Sequence, residues 1–299
     1  MALVDVVIPT YKRPHLTQEA AKSVLEQTCA ELKLYIVEDG DFSFSQDPAS
    51  RPILDDPRVV VVRLSTQKGV AFCRNFGASL GNSPYLAFLD SDDLWLPRKL
   101  ELQLEYFDKH SDIHYQHCEE LWLKNNAQIF PKKRHKKQGG FFLQRAFVLC
   151  LISPSAVIFR RPFWEKYGWF CSSFPVAEDY ELWLRLNLYF PVGFIPEPLV
   201  IKRSGPWPQL SSRIEIDRYR VLALHRLLRL EGKKAALAPH LDSLIQEALR
   251  KCDILIKGAQ KHNKPQRLAQ YQSWRRVFLR WRTRRESIFE EGIRKNSSA

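Results

Sequence analysis

The chain has 299 residues, 45% of them hydrophobic, so it can bury one large core or two smaller ones, and the composition excludes a disordered protein. Its net charge of +13 arises entirely from an excess of basic residues in the last third of the chain. Residues 1–199 carry 23 Lys and Arg against 24 Asp and Glu, whereas residues 200–299 carry 23 against 9. A basic region attracts polyanions, either nucleic acid or an anionic membrane surface.

Targeting and redox signals are weak. The six cysteines are scattered singly, without a C-x-x-C pair or a histidine at zinc-finger spacing, which is typical of a reducing compartment. The N-terminus is a short apolar strand that breaks at Pro9, unlike a signal peptide. The longest apolar window, residues 141–159, is interrupted by Gln144, Arg145 and Pro154 and is too broken to span a bilayer. We therefore expect a cytoplasmic protein.

The N-terminal part alternates strands and helices. Apolar, β-branched runs predict strands, and apolar residues at helical spacing predict helices. The strands are expected at residues 4–8, 34–37, 59–62 and 85–89, the helices at residues 15–27 and 70–80, and a loop at residues 41–57. This order favours an α/β fold with a mostly parallel, Rossmann-like sheet flanked by helices.

The remainder of the chain changes character. Residues 113–200 mix strands and short helices around a basic loop at residues 132–137, and helical spacing dominates from residue 211 onward. In the final stretch, Trp274, Phe278 and Trp281 form one stripe among arginines. We predict two domains, an α/β domain at residues 1–205 and a basic α-helical C-terminal region at residues 206–299.

Three carboxylates follow directly after the strand at residues 85–89, in the run Asp90-Ser91-Asp92-Asp93. In open α/β sheets, ligands gather at the carboxyl ends of the strands. Hard divalent cations take oxygen ligands and relieve the repulsion between such carboxylates. The run therefore predicts a metal that carries a phosphorylated substrate. The alternative is a solvated acidic turn before the helix that starts near Pro97.

Two further acidic positions stand at element ends. Glu178 and Asp179 precede apolar residues at helical spacing, so they lie at a helix N-terminus, where helix capping is the alternative explanation. Asp39 ends the strand at residues 34–37, where a simple Asp-Gly turn is the alternative.

Together these segments resemble glycosyltransferase family 2 over about residues 3–203. The matching segments are residues 8–13 (IPTYKR), 37–40 (VEDG), 68–77 (KGVAFCRNFG), 88–93 (FLDSDD) and 178–179 (ED). The resemblance implies a GT-A fold, a nucleoside-diphosphate-sugar donor, a divalent metal (Mn²⁺ or Mg²⁺) and inversion at the anomeric carbon. It also implies a glycan or lipid-linked acceptor, in the synthesis of a surface polysaccharide or lipopolysaccharide.

The resemblance assigns the donor half of a site. Thr10 and Asp39 match positions that line the nucleotide base and ribose. Arg74 matches an arginine near the donor phosphates, with an ordinary surface cation as the alternative. Within the acidic run, Asp92 matches the direct metal ligand, and Asp90 reaches the ribose or the metal. Ser91 between them is included with the nucleotide-sugar site.

The acceptor half is less defined. Asp179 matches the catalytic base, with Glu178 as a positioning or acceptor-binding residue, and the reversed assignment stays open. Trp183 either stacks on an acceptor sugar or is a core residue. The basic loop residues either guide an acidic or pyrophosphate-bearing acceptor or are merely solvated. These loop residues are Lys132, Lys133 and Arg134.

The chain departs from the family at two places. Glu38 stands where an aspartate is usual, and the run at residues 204–211 lacks the histidine that completes metal coordination in many relatives. The third protein ligand therefore stays open, as does a non-catalytic GT-A-like binding protein.

The basic last third has alternatives of its own. Its aromatic stripe either lies on an anionic membrane surface, at the cytoplasmic face of the inner membrane, or packs on the catalytic domain. A nucleic-acid-binding protein is a further alternative, but no nucleic-acid motif accompanies the charge, so we expect no nucleic-acid partner.

Overall fold

The computed structural model describes residues 2–209, 216–232 and 234–296, with side chains through residue 283. These residues fall into two compact units. One is drawn from Met1–Phe142 and Leu149–Leu210, the other from Leu143–Val148 and Ser211–Ala299. The predicted division at residues 205 and 206 stays a prediction, and residues 143–148 belong by their contacts to the second unit.

The first unit contains all nine described strands. They are β1 (Val4–Thr10), β2 (Leu32–Asp39), β3 (Val59–Leu64), β4 (Tyr85–Phe88), β5 (Leu94–Trp95), β6 (Tyr115–Lys124), β7 (Ala127–Ile129), β8 (Ile158–Arg160) and β9 (Gly193–Ser204). The α-helices of this unit are α1 (Pro14–Leu25), α2 (Ser43–Gln46), α3 (Arg51–Leu54), α4 (Val70–Ser79), α5 (Lys99–Lys109), α7 (Arg161–Phe163) and α8 (Glu178–Tyr189). Helix α6 (Leu143–Val148) lies in the second unit.

The strand order is β3-β2-β1-β4-β8-β6-β9-β5, with β7 paired to β6. From β3 to β4 the strands are parallel, whereas β8 runs antiparallel to both of its neighbours. The predicted α/β fold is thus confirmed, and antiparallel pairing is confined to the half of the sheet that begins at β8. Strand order reverses between β1 and β4, which is the position where open α/β sheets bind ligands.

Helix α4 packs unusually close to β1. A Cβ added to Gly77 would stand 2.4 Å from Val7 Cγ1, so a larger residue at this position requires the Val7 side chain or the helix to shift. Val7 is fully buried, and Ala71, Cys73 and Ala78 of the helix are buried as well. This close contact fixes the position of Arg74, which lies one turn before Gly77.

The predicted loop at residues 41–57 is wrong in part, because it contains α2, α3 and a short 3₁₀ helix at Pro48–Ser50. Buried Glu38 accepts hydrogen bonds from the amides of Phe44 and Ser45, both at 3.1 Å, and so satisfies free N–H groups of α2. These stabilising contacts come from the end of β2, outside the segment, so composition alone could not indicate them.

The second unit is helical, with α9 (Ile216–Glu231), α10 (Leu241–Lys261) and α11 (Pro265–Asn296) beside α6. Phe278 is fully buried, 6.0 Å from the His225 ring, whereas Trp274 and Trp281 are half-buried. Phe278, at the centre of the aromatic stripe, therefore packs inside the helical unit itself. The predicted beginning of helical spacing at residue 211 lies outside the described residues. Among the helices that are described, none combines the length and apolar character needed to cross a bilayer.

A lysine at the first residue of α5 is fully buried. Lys99 Nζ donates to Gln103 Oε1 at 2.7 Å and lies 3.9 Å from the centre of the Trp95 ring. Burial disfavours the charged form and lowers the pKa of Lys99 to about 7, against about 10.4 in an unfolded chain. Between these values the unfolded chain binds a proton that the folded protein does not, so this group makes the free energy of unfolding rise with pH.

We expect Lys99→Met to lose this pH dependence. From pH 7 to pH 9, the free energy of unfolding of the wild type should increase relative to that of the variant, by up to about 1.4 kcal/mol per pH unit. Urea unfolding at several pH values measures it. The exposed Lys109→Met on the same helix is the control and should show no such trend. A difference that does not vary with pH for Lys99→Met would contradict the assignment.

Candidate active site

The carboxyl ends of β1, β2 and β4 meet at one edge of the sheet. Thr10 ends β1, Asp39 ends β2, and Asp90 follows β4 after Leu89, whose amide donates to Val7 O at 3.0 Å. These strands are neighbours in the order β2-β1-β4, so three of the predicted donor-site residues lie along the same rim. The rim coincides with the reversal of strand order.

Arg74 connects this rim to the second acidic pair. Its Nη2 lies 2.5 Å from Asp90 Oδ1, and its Nη1 lies 2.6 Å from Glu178 Oε1. The arginine is 2% exposed, and its guanidinium lies 5.1 Å from the centre of the Phe170 ring. Burial alone lowers the pKa of Arg74, but the charges of Asp90 and Glu178 raise it above its usual value. The guanidinium therefore stays charged and holds both acids.

Glu178 and Asp179 begin α8, where the helix dipole favours negative charge. The residue before them, Ala177, has a φ of 60°, a left-handed conformation that costs a non-glycine residue about 1–2 kcal/mol. Strain of this kind is common at functional sites. It turns the chain sharply into the helix, so that both carboxylates stand in its first turn.

The two acids have different surroundings. Glu178 is buried and bound to Arg74; burial raises its pKa, the charge of Arg74 lowers it, and the negative charge of Asp179 raises it again. Asp179 is half-buried and accepts hydrogen bonds from the Tyr180 amide at 2.7 Å and from Cys150 Sγ at 3.4 Å. Of the two, Asp179 is the more accessible to a substrate.

Asp92 stands among hydrogen-bond donors. Its Oδ2 accepts from Trp207 Nε1 at 3.1 Å and Gln209 Nε2 at 3.4 Å, and lies 3.2 Å from Arg13 Nη1. Arg13 also donates to Pro208 O at 2.8 Å. The segment after β9, where the sequence lacks the usual histidine, therefore covers Asp92 with an indole and an amide.

The carboxylates of Asp90 and Asp92 fit a metal ion that arrives with a substrate. Asp90 and Asp92 offer carboxylate oxygens, the ligands that Mg²⁺ and similar hard cations prefer. Within the part of the chain that the structure describes, no group of three or more His, Cys, Asp or Glu side chains could hold a metal ion. Two carboxylates are sufficient where substrate phosphates and waters complete the coordination, which is the usual arrangement for Mg²⁺.

Asp93 and Arg203 join the acidic run to the rest of the unit. Buried Asp93 accepts from Ser155 Oγ at 2.7 Å and from the Arg203 amide at 2.9 Å, and Arg203 Nε donates to the carbonyl of Asp92 at 2.6 Å. Asp93 thus holds β4 and β9 together. Ser91 is buried in the same turn.

Asp39 and Thr10 are also held in place by contacts within the unit. Asp39 accepts from the amides of Lys68 at 2.5 Å and Gly69 at 2.9 Å, and Thr10 Oγ1 lies 2.6 Å from Thr17 Oγ1. Thr10 and Asp39 are each 5% exposed. Asp39 therefore also fixes the loop that leads into α4 and hence the position of Arg74.

The acceptor candidates divide into core and surface. Trp183 is 2% exposed, donates to Ile152 O at 2.9 Å and stacks parallel to Tyr115, with ring centres 6.5 Å apart; this favours the core alternative over an acceptor platform. The basic loop residues Lys132, Lys133 and Arg134 are exposed. Their exposure agrees both with guiding an acidic or pyrophosphate-bearing acceptor and with a merely solvated loop.

Several charged residues of this region were missed by sequence reasoning. Lys137, counted with the basic loop, is buried with Glu120 at 2.9 Å, and Lys202 and Arg203 enter from β9. A lysine and an arginine in an apolar strand were a usable signal, because charges are rarely buried without a partner. The partner of Lys137 could not be inferred, because Glu120 lies on β6, outside the basic loop.

Comparison with known proteins agrees with this geometry. The family model described as "Glycosyl transferase family 2" matches residues 5–167, more than half of the chain. A relative from Escherichia coli, the UDP-Glc:alpha-D-GlcNAc-diphosphoundecaprenol beta-1,3-glucosyltransferase WfgD, is 28% identical over 188 residues. The aligned region covers 62% of this chain and 69% of WfgD.

Solved structures show the same fold. TarS 1-349 from S. aureus, in complex with UDP-GlcNAc, has a TM-score of 0.61 and 16% identity, covering 94% of this chain and 92% of TarS 1-349. The mannosyltransferase PcManGT from Pyrobaculum calidifontis, in complex with GDP-Man and Mn²⁺, has a TM-score of 0.53 and 14% identity, covering 93% and 84%. With its family match and its GT-A-like fold, the chain belongs to glycosyltransferase family 2.

Proposed function

We propose that this chain is a metal-dependent, inverting glycosyltransferase that moves a sugar from a nucleoside diphosphate to a hydroxyl group of a glycan or lipid-linked acceptor. The observation that carries the proposal is the double contact of buried Arg74 with Asp90 and Glu178, at 2.5 and 2.6 Å. One cation thereby joins the acids that follow β4 to the acids that begin α8, so donor and acceptor chemistry share one site.

The donor half uses the rim of the sheet. Thr10, Asp39 and Ser91 would line the nucleotide-sugar donor, while Asp90 and Asp92 would hold a divalent cation such as Mn²⁺ or Mg²⁺. When bound, that cation supplies positive charge to the departing nucleoside diphosphate. Arg74 complements the diphosphate and keeps Asp90 in place.

Asp179 acts as the general base. It takes the proton from the acceptor hydroxyl while that oxygen forms a bond to the anomeric carbon from the face opposite the leaving group. The bond from the anomeric carbon to the phosphate oxygen breaks, the nucleoside diphosphate leaves with that electron pair, and the configuration inverts. Glu178, buried against Arg74, positions the helix start; the greater accessibility of Asp179 supports this assignment.

The acceptor is proposed from the relatives and from charge. WfgD is named for a diphosphoundecaprenol-linked acceptor, and the exposed residues Lys132, Lys133 and Arg134 offer positive charge to such a diphosphate. This favours synthesis of a surface polysaccharide from a lipid-linked precursor. A non-catalytic GT-A-like binding protein is the alternative, and the retained carboxylates at Asp90, Asp92 and Asp179 argue against it.

We further propose that the exposed basic side of α11 associates with an anionic membrane on its cytoplasmic face, near a lipid-linked acceptor. Arg276 and Arg280, one turn apart, line a surface depression with Leu279 and Thr283. Arginines near an anionic surface each contribute about 1 kcal/mol to binding. Because Phe278 is buried in the helical unit, charge rather than aromatic insertion carries this proposal.

Two variants test the catalytic proposal and serve as controls for each other. Asp179→Asn should lower the transfer rate by about 10²–10⁴ while UDP binding and its dependence on Mn²⁺ stay unchanged, because the base acts only on the acceptor. Asp92→Ala should lose the tightening of UDP binding by Mn²⁺. Transfer from a panel of nucleotide sugars to a diphospholipid-linked sugar and calorimetry with UDP measure the two effects.

Several outcomes of this experiment would contradict the proposal. The first is an Asp179→Asn variant that transfers sugar at the wild-type rate, and the second is loss of UDP binding in that variant. The third is an Asp92→Ala variant in which Mn²⁺ still tightens UDP binding. Thermal melting of both variants checks that they fold. A wild-type protein that binds no nucleotide of the panel would favour the non-catalytic alternative.

Vesicle sedimentation tests the membrane proposal. At low salt the protein should sediment with vesicles containing phosphatidylglycerol and not with neutral phosphatidylcholine vesicles or with DNA. Replacing Arg276 and Arg280 by glutamine should weaken this binding, because two charges near the surface are lost. A double variant at two exposed lysines of the other unit, Lys22→Gln with Lys109→Gln, is the control. Equal binding by the two double variants would contradict a role for α11.

A further inference from the structure

Lys202 enters the candidate site on β9, immediately before Arg203. The Arg203 amide donates to Asp93 Oδ1 at 2.9 Å, and its Nε donates to the carbonyl of Asp92 at 2.6 Å. These two bonds fasten this part of β9 to the acidic run that follows β4. The residue next to Arg203 is therefore held at the edge of the sheet where the donor-site carboxylates stand.

The register between β6 and β9 gives the direction of the Lys202 side chain. Lys202 is paired with Trp122, and Val200 is paired with Glu120. Because side chains alternate along a strand and paired residues share a face, Lys202 and Glu120 lie on the same face of the sheet. Glu120 already has partners, since Lys137 Nζ lies 2.9 Å from Oε1 and Trp122 Nε1 donates to Oε2 at 2.9 Å.

Lys202 itself has no direct partner among the described residues. Its side chain is half-buried, and its ammonium group forms no hydrogen bond and no ion pair with those residues. Burial lowers the pKa of Lys202, but surrounding negative charges outweigh this effect and raise it above the usual value, so the group stays charged. These charges belong to Glu120, Asp93, Asp90 and Asp179.

Three arginines described at this edge are already engaged. Arg74 contacts Asp90 and Glu178, Arg13 contacts Asp92, and Arg203 contacts Glu19. A partly buried ammonium group without acceptors is unfavourable, because it loses hydration and gains no hydrogen bonds in exchange. An anionic ligand would supply the missing acceptors. It would also need a cation here, because it would otherwise meet several carboxylates at close range.

We propose that Lys202 binds the diphosphate group of the nucleotide-sugar donor. This inference rests on the proposed function and adds a donor-binding residue to it. The ammonium group donates to phosphate oxygens and offsets their repulsion from Asp90 and Asp93. It also favours departure of the nucleoside diphosphate, because the negative charge on the phosphate oxygens increases as the bond to the sugar breaks.

Nucleotide affinity tests the assignment without an acceptor. A first panel of UDP, GDP, CDP, ADP and dTDP identifies the nucleoside diphosphate that the wild type binds, by calorimetry at low salt with and without Mn²⁺. Lys202→Met should bind that diphosphate about tenfold or more weakly in both conditions, and the corresponding monophosphate with a smaller loss. Lys202→Arg should recover part of the affinity. Lys124→Met, an exposed lysine near the end of the neighbouring strand, is the matched control and should bind as the wild type does.

The outcomes separate the inference from the function on which it rests. If the wild type binds no nucleoside diphosphate, the proposed function fails. If the wild type binds one and Lys202→Met binds it equally well, only the inference is overturned. An equal loss for the diphosphate and the monophosphate would also overturn it, because a general disturbance of the site does not distinguish the second phosphate. Thermal melting shows whether Lys202→Met is folded, and Lys202→Arg gives a second, milder readout.

Discussion

The candidate site depends on one buried guanidinium. Arg74 is 2% exposed and holds Asp90 after β4 and Glu178 at the start of α8, two residues 88 positions apart in the sequence. Removing one partner of a buried ion pair leaves an uncompensated charge, at a typical cost of about 3–5 kcal/mol. Without Arg74, the two acids would repel each other. The arginine therefore determines both the charge of the site and the relative position of its two halves.

The rest of the fold places Arg74. Gly77 lets α4 approach β1 closely. Just before that helix begins, Asp39 accepts hydrogen bonds from the amides of Lys68 and Gly69. On the other side, Ala177 turns the chain into α8 in a strained, left-handed conformation. Asp39, which the resemblance assigns to nucleotide binding, thus also supports the arginine that joins the end of β4 to the start of α8.

Charge compensation extends across the sheet in a second set of contacts. Glu120 and Lys137 form a buried pair, and Lys202 lies on the same face of the sheet as Glu120. A site that accepts an anionic diphosphate beside several carboxylates needs cations that are not already bound. The proposed role of Lys202 would meet this requirement.

Sequence reasoning reached the local features and missed those that depend on tertiary contacts. The strand ends at Asp39 and Asp90 and the helix start at Glu178 follow from local patterns. In contrast, the helices within residues 41–57 depend on Glu38, and the antiparallel pairing of β8 joins segments far apart in the chain. Trp183 carried two explanations because burial cannot be inferred from one helix alone.

The most direct test of this account is the transfer rate of Arg74→Lys, measured beside its melting temperature. Lysine keeps the charge but lacks the planar fork that reaches two carboxylates at once. We predict a folded protein whose transfer rate falls by about a hundredfold or more, as expected when reacting groups lose their alignment. A folded Arg74→Lys variant that transfers sugar at the wild-type rate would contradict the claim that this double contact organises the site.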